Sequence, residues 1–274
     1  MKGSDLAILD YSVHGNTIDA ESDRLLALAA RSAGLRASIR ALHPDQPLRA
    51  EADRVWLRYD LRSRAELSWI VGLAQALRRE GRIVFPPAQS ILAAEDKWEA
   101  FHAFGAAQIP TPATQLAFAP GCFGFPAIVK PRTAWGGIGR LVLHGPSDLA
   151  GPRDLVAEDC IVQPYTEHTH MWIVAQAAGR EIVVIEEGRG TRARGDARVV
   201  ALPAGAAGLA RAALDAVGLP TGTVDLIRST AGMLVLEVNS APRIPYPALE
   251  NVDLAGPMVR AVLDWMEEGC PSIS

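Results

Sequence analysis

Three oxygen-bearing side chains near residue 230 are the first candidates for chemistry. Asp225, Glu237 and Asn239 stand in two apolar segments separated by the turn-forming residues 229–232. A hairpin with a three-residue loop places Asp225 opposite Glu237, with Asn239 on the same face. Like charges so placed destabilise a sheet unless a cation compensates them, and these oxygens are ligands that Mg²⁺ or Mn²⁺ prefers. The pattern predicts a metal site, with a solvated sheet face as the open alternative.

Two lysines form a second candidate site. The chain has 27 lysines and arginines, and only three of them are lysines. Lys97 and Lys130 are therefore exceptions, and a slim ammonium suits a phosphate oxygen in a narrow site. Lys130 precedes Gly136, Gly137 and Gly139, whose missing side chains let backbone N–H groups approach phosphate. The spacing is neither that of a P-loop nor that of a dinucleotide fingerprint, so a tight turn remains the alternative to a phosphate site.

The elements that must position these residues change in character along the chain. Helices are predicted at 19–33 and 65–79, between strands at 6–9, 37–42, 54–59 and 83–85. This alternation predicts a small parallel α/β layer. A helix at 94–107 precedes a strand-rich remainder, with strands at 127–130, 140–143, 160–165, 172–177, 181–185 and 198–202. A helix at 208–217, the hairpin at 223–239 and a helix at 254–267 complete an α/β (α+β) fold.

Length and composition exclude several classes of protein. The 274 residues predict one large domain or two packed ones, and 49% hydrophobic residues predict a sizeable core. No apolar run approaches the ~18 residues of a membrane helix. A net charge of −4 gives no general attraction for nucleic acid or anionic membranes. The lack of a signal-peptide pattern and three widely spaced cysteines (Cys122, Cys160 and Cys270) predict a cytoplasmic protein with reduced thiols.

The chemical candidates occur in the order and spacing found in the ATP-grasp ligases, which the sequence resembles. They are Lys97 at a Glu-Asp-Lys helix start, Lys130 before Thr-x-x-Gly-Gly-x-Gly, Asp225, and the triplet 237–239. The resemblance is nearest to the branch of prokaryotic glutathione synthetase and the ribosomal-protein glutamate ligases, and it runs from about residue 55 to residue 260. It implies an ATP-grasp fold, with an N-terminal α/β domain at 1–92 and an ATP-grasp domain at 93–274 whose lid spans about 112–166.

The resemblance also implies roles for individual residues. Lys97 and Lys130 would hold the ATP phosphates under the loop of Gly136, Gly137 and Gly139. The metal ions would be held by Asp225, Glu237 and Asn239. The nucleotide hinge would be the strand 161–166, with Gln163, Pro164, Tyr165 and Thr166 at the nucleotide, and His170 would be a nucleotide-binding position beyond the hinge. The acyl phosphate and the substrate carboxylate would face Arg243, Arg198 and Arg192, and the acceptor side would be lined by Arg58, Tyr11 and His14.

The implied activity is an ATP-dependent ligation of a carboxylate to an amine through an acyl phosphate, on amino-acid-like or short peptide substrates. A homodimer or higher homo-oligomer is expected. Two alternatives stay open: a kinase of the same fold, and a nucleotide-binding protein without catalysis. Pro164 stands where the family usually has an acid, and His170-Met171-Trp172 replaces a usual Asp-x-Arg. These departures lie around the nucleotide and substrate edges and predict an altered substrate.

Overall fold

The structure is a computed structural model that describes residues 5–12, 17–46, 52–116, 123–134, 136–150, 159–168, 170–177, 180–188, 198–244 and 252–268. Three sheets organise these residues: one four-stranded parallel sheet and two antiparallel sheets of four and five strands. The predicted α/β (α+β) class is confirmed. Among the helices of these ranges, none has the length and apolar character required to cross a bilayer.

The N-terminal layer is a parallel sheet flanked by helices. Its strands are ordered β2-β1-β3-β4, and its elements in chain order are β1 (Asp5–Tyr11), α1 (Thr17–Ser32), β2 (Arg36–Ala41), β3 (Arg54–Tyr59), α2 (Arg64–Arg79) and β4 (Ile83–Phe85). Leu6 and Ile8 pack with α1 in one core, whereas Ala7 and Leu9 pack with α2 in another. An uninterrupted apolar run suits β1 because both of its faces are covered.

Two helices follow this layer where one was predicted. The prediction of a single helix at 94–107 is wrong, because the chain forms α3 (Ala88–Glu95) and α4 (Lys97–Ala106). Asp96 separates them with extended backbone angles, and its side chain accepts a hydrogen bond from the backbone N–H of Trp98. An N-cap aspartate satisfies one of the unpaired donors of a helix start. Lys97 is therefore the first residue of α4.

The second sheet has the order β5-β8-β6-β7. Its strands are β5 (Gln115–Leu116), β6 (Ala127–Pro131), β7 (Leu141–Leu143) and β8 (Cys160–Pro164), with a 3-10 helix at Pro146–Ala150. The two-residue strand β5 was not predicted. Cys160 is buried and unpaired, whereas Cys122 and Cys270 lie outside the described residues.

The third sheet has the order β11-β10-β9-β12-β13 and carries the predicted hairpin. Its elements are β9 (His170–Ala177), β10 (Arg180–Gly188), β11 (Arg198–Val199), α5 (Ala206–Ala216), β12 (Gly222–Ser229) and β13 (Gly232–Asn239), followed by α6 (Ala255–Glu267). The buried side chains of α5 and α6 share one core with the sheet and with α1. The N-terminal layer and the third sheet are thus packed on common apolar residues.

Candidate active site

The hairpin β12–β13 pairs Asp225 with Glu237 and Thr223 with Asn239. The predicted pairing of Asp225 with Glu237 is confirmed, but the predicted three-residue loop is wrong. Ser229 pairs with Gly232, which leaves a two-residue loop, and a bulge between Asp225 and Leu226 restores the offset. Bulges of this kind insert one extra residue into one strand of a pair.

The donor set at this hairpin is two carboxylates and one amide oxygen. Asp225 is 7% exposed, whereas Glu237 and Asn239 are partly exposed. No group of three or more His, Cys, Asp or Glu that could hold a metal ion occurs in the part of the chain that the structure describes. A metal ion at this hairpin would therefore depend on the amide oxygen of Asn239 for a third protein ligand. Oxygen-only donors of this kind fit a hard cation such as Mg²⁺.

Lys97 reaches the hairpin from the start of α4. Its Nζ lies 3.8 Å from Oε2 of Glu237 and donates a hydrogen bond of 2.5 Å to the backbone oxygen of Ala134. The backbone N–H of Lys97 donates to the carbonyl of Arg132. The structure thus brings together one of the two predicted phosphate lysines, one predicted metal ligand and the start of the glycine-rich loop.

Lys130 lies on β6 and is held by a neighbouring strand. Its Nζ donates to Oε1 of Gln163 on β8 at 2.9 Å, and Nε2 of Gln163 donates to Oγ1 of Thr114 at 2.8 Å. Burial lowers the pKa of Lys130 to about 8, and the nearby carboxylate of Glu237 opposes this shift. Desolvation penalises an unpaired ammonium, so Lys130 favours an anionic partner. In the structure, the hydrogen-bond partner of Lys130 is the neutral side chain of Gln163.

The glycine-rich loop needs its glycines for backbone geometry. Gly136, Gly137 and Gly139 all have φ between 64° and 73°, a region that side-chain-bearing residues rarely adopt. A Cβ on Gly139 would lie 2.7 Å from Cγ of Pro131, so the loop also passes close to β6. Oγ1 of Thr133 is buried and has no hydrogen-bond partner among the described residues. This loop therefore contains a buried hydroxyl that an added oxygen ligand could satisfy.

An ion pair missed by the sequence analysis holds Lys97 in place. Arg132 donates from Nε and Nη2 to the carboxylate of Asp96 at 2.7–3.1 Å, and both residues are buried. The pair links the end of β6 to the N-terminus of α4. The N-cap signal in Glu95-Asp96-Lys97 could have identified Asp96, whereas no local signal links it to Arg132.

A second missed group lies beside Asn239. Ser240 donates to Oε1 of Glu95 and shares a hydrogen bond with the hydroxyl of Tyr59. Burial raises the pKa of Glu95, and Glu237 adds to this increase. The pKa of Tyr59 is raised well above its usual value, mainly by burial. The group fixes the backbone just past Asn239 against α3 and β3.

Two of the predicted substrate residues, Arg243 and Arg58, contact acidic residues of the N-terminal layer. Arg243 donates to the carboxylate of Asp19 at 2.8 and 3.3 Å and lies 3.7 Å from Asp60. Arg58 is 3% exposed and donates to Asp23 at 3.0 Å and to the carbonyl of Pro242 at 2.8 Å. Both guanidiniums therefore bind carboxylates.

Tyr11 packs into the N-terminal layer. Its ring lies 4.9 Å from that of Trp69, and its hydroxyl lies 3.4 Å from Oε1 of Glu66. His14 and Arg192 lie outside the described residues, as do the side chains of Arg198 and His170. The backbone of Arg198 pairs with Glu186 at the edge of the third sheet.

The predicted hinge uses part of its backbone within the protein. Pro164 ends β8 opposite Ala127. The N–H of Tyr165 donates to the carbonyl of Pro126 at 3.0 Å, and Nδ1 of His168 lies 2.8 Å from the carbonyl of Thr166. These two backbone groups of the segment are engaged in contacts within the protein.

Comparison with solved structures gives the fold of the chain. It superposes on a RimK domain ATP-grasp protein from Sphaerobacter thermophilus with a TM-score of 0.70 and 18% identity, covering 94% of this chain and 99% of that one. The D-cycloserine synthetase DcsG superposes with a TM-score of 0.76 and 19% identity, covering 95% of this chain and 99% of that one. A D-alanine–D-alanine ligase from Bacillus anthracis complexed with ATP superposes with a TM-score of 0.73 and 13% identity, covering 97% of this chain and 99% of that one.

The chain has the ATP-grasp fold, which confirms the predicted architecture. In sequence, no family model and no curated protein matches the chain. The similarity therefore lies in the arrangement of strands and helices over nearly the whole chain, and the chemistry of the site must be argued from its residues.

Proposed function

We propose that the protein is an ATP-dependent ligase that joins a carboxylate to an amine through an acyl phosphate, releasing ADP and phosphate. One observation carries the proposal: the lysine–carboxylate contact between Lys97 and Glu237 lies beside a glycine-rich loop in a chain with the ATP-grasp fold. Solved structures with this fold include synthetases and ligases with several substrates, a D-cycloserine synthetase and a D-alanine–D-alanine ligase among them.

The residues fit ATP and a divalent cation. Lys97 and Lys130 would neutralise phosphate oxygens, and the buried hydroxyl of Thr133 would donate to one. Gly136, Gly137 and Gly139 would close over the nucleotide. Asp225, Glu237 and Asn239 would hold Mg²⁺ or Mn²⁺, which when bound neutralises charge on the transferred phosphoryl group. We propose Gln163, Pro164, Tyr165, Thr166 and His170 as the nucleotide side of the same site.

The substrates would lie between this site and the N-terminal layer. Arg243 is proposed as the cation facing the substrate carboxylate, because it follows Asn239 by four residues and reaches the layer through Asp19. Arg192 and Arg198 are proposed to close from the other side. Arg58, Tyr11 and His14 are proposed to line the acceptor side. We also propose the division into domains at 1–92 and 93–274, the lid at about 112–166 and a homo-oligomeric state.

An ADP-release screen tests the proposal. The protein is incubated with ATP, Mg²⁺ and amino acids or carboxylic acids, singly and in pairs. A ligase releases ADP only when both the acid and the amine are present, whereas a kinase needs one substrate and a nucleotide sensor releases none.

Hydroxylamine identifies the intermediate in the same assay. An acyl phosphate formed from the acid substrate reacts with hydroxylamine to give a hydroxamate and phosphate. A phosphorylated alcohol without any hydroxamate would contradict the ligase and support the kinase. Replacing Glu237 with Gln serves as the inactive control, because spontaneous or contaminating ATP hydrolysis does not depend on this residue.

A further inference from the structure

The edge of the N-terminal layer holds an unusual concentration of buried acids. Asp10 is the penultimate residue of β1, Asp60 follows β3, and Asp19 and Asp23 lie on α1; these four residues form what we name the acidic cluster. Asp19, Asp23 and Asp60 are less than 8% exposed. Four carboxylates here meet the buried guanidinium of Arg58, the partly buried one of Arg243 and the rim residue Arg62, which lies 3.4 Å from Asp60. Carboxylates remain in excess even with all three arginines counted.

One buried carboxylate oxygen of the acidic cluster lacks a hydrogen-bond donor in the part of the chain that the structure describes. Asp23 is 1% exposed, and its Oδ1 accepts from Nε of Arg58 at 3.0 Å. Its Oδ2 is buried and has no hydrogen-bond partner within the described ranges. The neighbouring group is the carboxylate of Asp10, which is itself half-buried and accepts from the hydroxyl of Ser12. A buried carboxylate oxygen facing another carboxylate is costly unless a proton or a cation lies between them.

The pKa shifts of both acids favour a proton at this position in the free protein. Burial raises the pKa of Asp23 to about 7, the charge of Asp10 adds to the increase, and Arg58 opposes it. Burial also raises the pKa of Asp10, where Asp19 acts in the same direction and Arg58 in the opposite one. A ligand that brings both positive charge and N–H donors could replace that proton.

The acidic cluster is in contact with solvent at Asp10, which is half-buried. Asp10 and Ser12 are half-buried, not fully enclosed, and Arg243 joins the cluster to the segment that follows Asn239. A molecule bound at Asp10 and Asp23 would therefore meet carboxylates, with the guanidinium of Arg243 in the same cluster through its contacts with Asp19 and Asp60. That combination matches the two charged groups of an amino acid, an ammonium and a carboxylate.

We propose that the acidic cluster binds the ammonium group of a substrate, with Asp10 and Asp23 as its carboxylate partners. The identification of the ligand as a substrate rests on the proposed ligase function, whereas the binding of an organic ammonium does not. The site would favour amino acids and other primary amines over carboxylic acids that lack an amine.

Direct binding of simple probes tests this proposal without any assay of activity. Ethylammonium, tetramethylammonium and propionate are each titrated to about 10 mM and followed by saturation-transfer difference NMR. Ethylammonium is expected to bind, because it has charge and N–H donors. Tetramethylammonium, which has charge only, and propionate are expected to bind at least tenfold more weakly. Absence of ethylammonium binding, or equal binding of propionate, would overturn the proposal.

Variants locate the binding. Replacing Asp23 with Asn mimics the protonated carboxyl and keeps an acceptor for Arg58, and we expect at least a tenfold loss of ethylammonium affinity. Replacing Asp10 with Asn is the second variant, should the first fail to fold. Asp5→Asn is the matched control, because Asp5 lies at the opposite end of β1 in an exposed ion pair with Arg36. Unchanged affinity in both cluster variants would exclude this site.

The pH dependence gives an independent readout. Ethylammonium stays charged across pH 6–8, whereas the proton on the Asp10–Asp23 pair leaves as the pH rises. Affinity is therefore expected to increase from pH 6 to pH 8 in the wild type and to stay level in the Asp23→Asn variant. A melting-temperature shift with ATP and Mg²⁺ is measured on the same samples. Loss of that shift with intact ammonium binding would contradict the proposed function alone.

Discussion

Nζ of Lys97 lies 3.8 Å from Oε2 of Glu237, so the first residue of α4 meets strand β13 near its C-terminal end. The two side chains are 16% and 28% exposed. Such a partly exposed ion pair contributes roughly 0–1 kcal/mol to stability. The contact matters because it places a cation and an anion side by side. A phosphate would bring negative charge to Lys97, and its metal ion would bring positive charge to Glu237.

Removing the charge of Glu237 should abolish the metal dependence of nucleotide binding. In the wild type, ATP with Mg²⁺ should raise the melting temperature more than ATP alone, because a ligand of the folded state stabilises it by mass action. In Glu237→Gln and Asp225→Asn the two shifts should become equal, and any turnover should fall by about 100-fold or more. Glu268→Gln, an exposed change at the end of α6, is the control. Retention of the full Mg²⁺ effect in both hairpin variants would remove the metal ion from this site.

Nucleotide affinity should weaken at high pH because of Lys130. Its pKa of about 8 in the free protein means that it loses its proton as the pH rises above this value. Phosphate binding favours the charged form, so the dissociation constant for ATP should be level below pH 8 and rise by up to about tenfold per pH unit above it. Calorimetric titrations from pH 7 to 9.5 measure this profile.

Lys130→Met is the test of the assignment. The variant should bind ATP weakly at every pH and lose the dependence above pH 8. Arg24→Met, an exposed residue of α1 paired with Glu21, is the matched removal of a positive charge. A wild-type profile in Lys130→Met would assign the titration to another group.

Crowding at Gly222 gives a prediction about the position of Asn239. A Cβ on Gly222 would lie 2.8 Å from the backbone oxygen of Asn239 and 3.0 Å from Cδ2 of Leu214. Gly222→Ala should therefore lower the free energy of unfolding by about 1–3 kcal/mol and reduce Mg²⁺-dependent ATP binding. Gly208→Ala is the control, because no atom lies within 4 Å of its Cβ on helix α5. This control should be stabilised by up to about 1 kcal/mol. Equal stability of the two variants in urea unfolding would contradict the crowding.

Mutations of the buried pair of Asp96 and Arg132 should have strongly coupled effects on the free energy of unfolding. Arg132→Leu leaves the carboxylate of Asp96 buried without its bidentate partner, and the free energy of unfolding should fall by about 3–5 kcal/mol. Asp96→Asn together with Arg132→Leu should recover part of this loss, since no charge remains uncompensated. The measurement is a double-mutant cycle by urea unfolding. Additive effects of the two changes would show that the pair is not coupled.

The hairpin shows which part of the candidate site the local sequence pattern predicted and which part it did not. Buried side chains in β13 include Val235 and Val238, three residues apart. A regular strand alternates every two residues, so this spacing indicates a bulge between them. The bulge lets Val235 face the core while Glu237 pairs with Asp225. The predicted pair was correct because the loop is one residue shorter than predicted and the bulge adds that residue back.

Longer-range features had no comparable signal. The strand and helix alternation of the first 85 residues was predictable because both faces of β1 are covered by apolar helices. The break at Asp96 was missed because residues 88–106 are apolar on both sides of a single cap. The pairing of Arg243 with Asp19 joins residues 224 apart in sequence, which no local period reports. The role of each site residue stays a prediction.

Contacts of this length also bear on how the protein forms. The segment after Asn239 is held to the first sheet by Tyr59 with Ser240, Arg58 with Pro242, and Arg243 with Asp19, at sequence separations of 181, 184 and 224 residues. Closing such distances costs chain entropy before any contact returns stability, and topologies rich in them fold slowly. During synthesis the N-terminal layer emerges long before its partners. Charged side chains of this layer that are buried in the complete protein therefore stay exposed to water until residue 243 has left the ribosome. The candidate active site is completed only then.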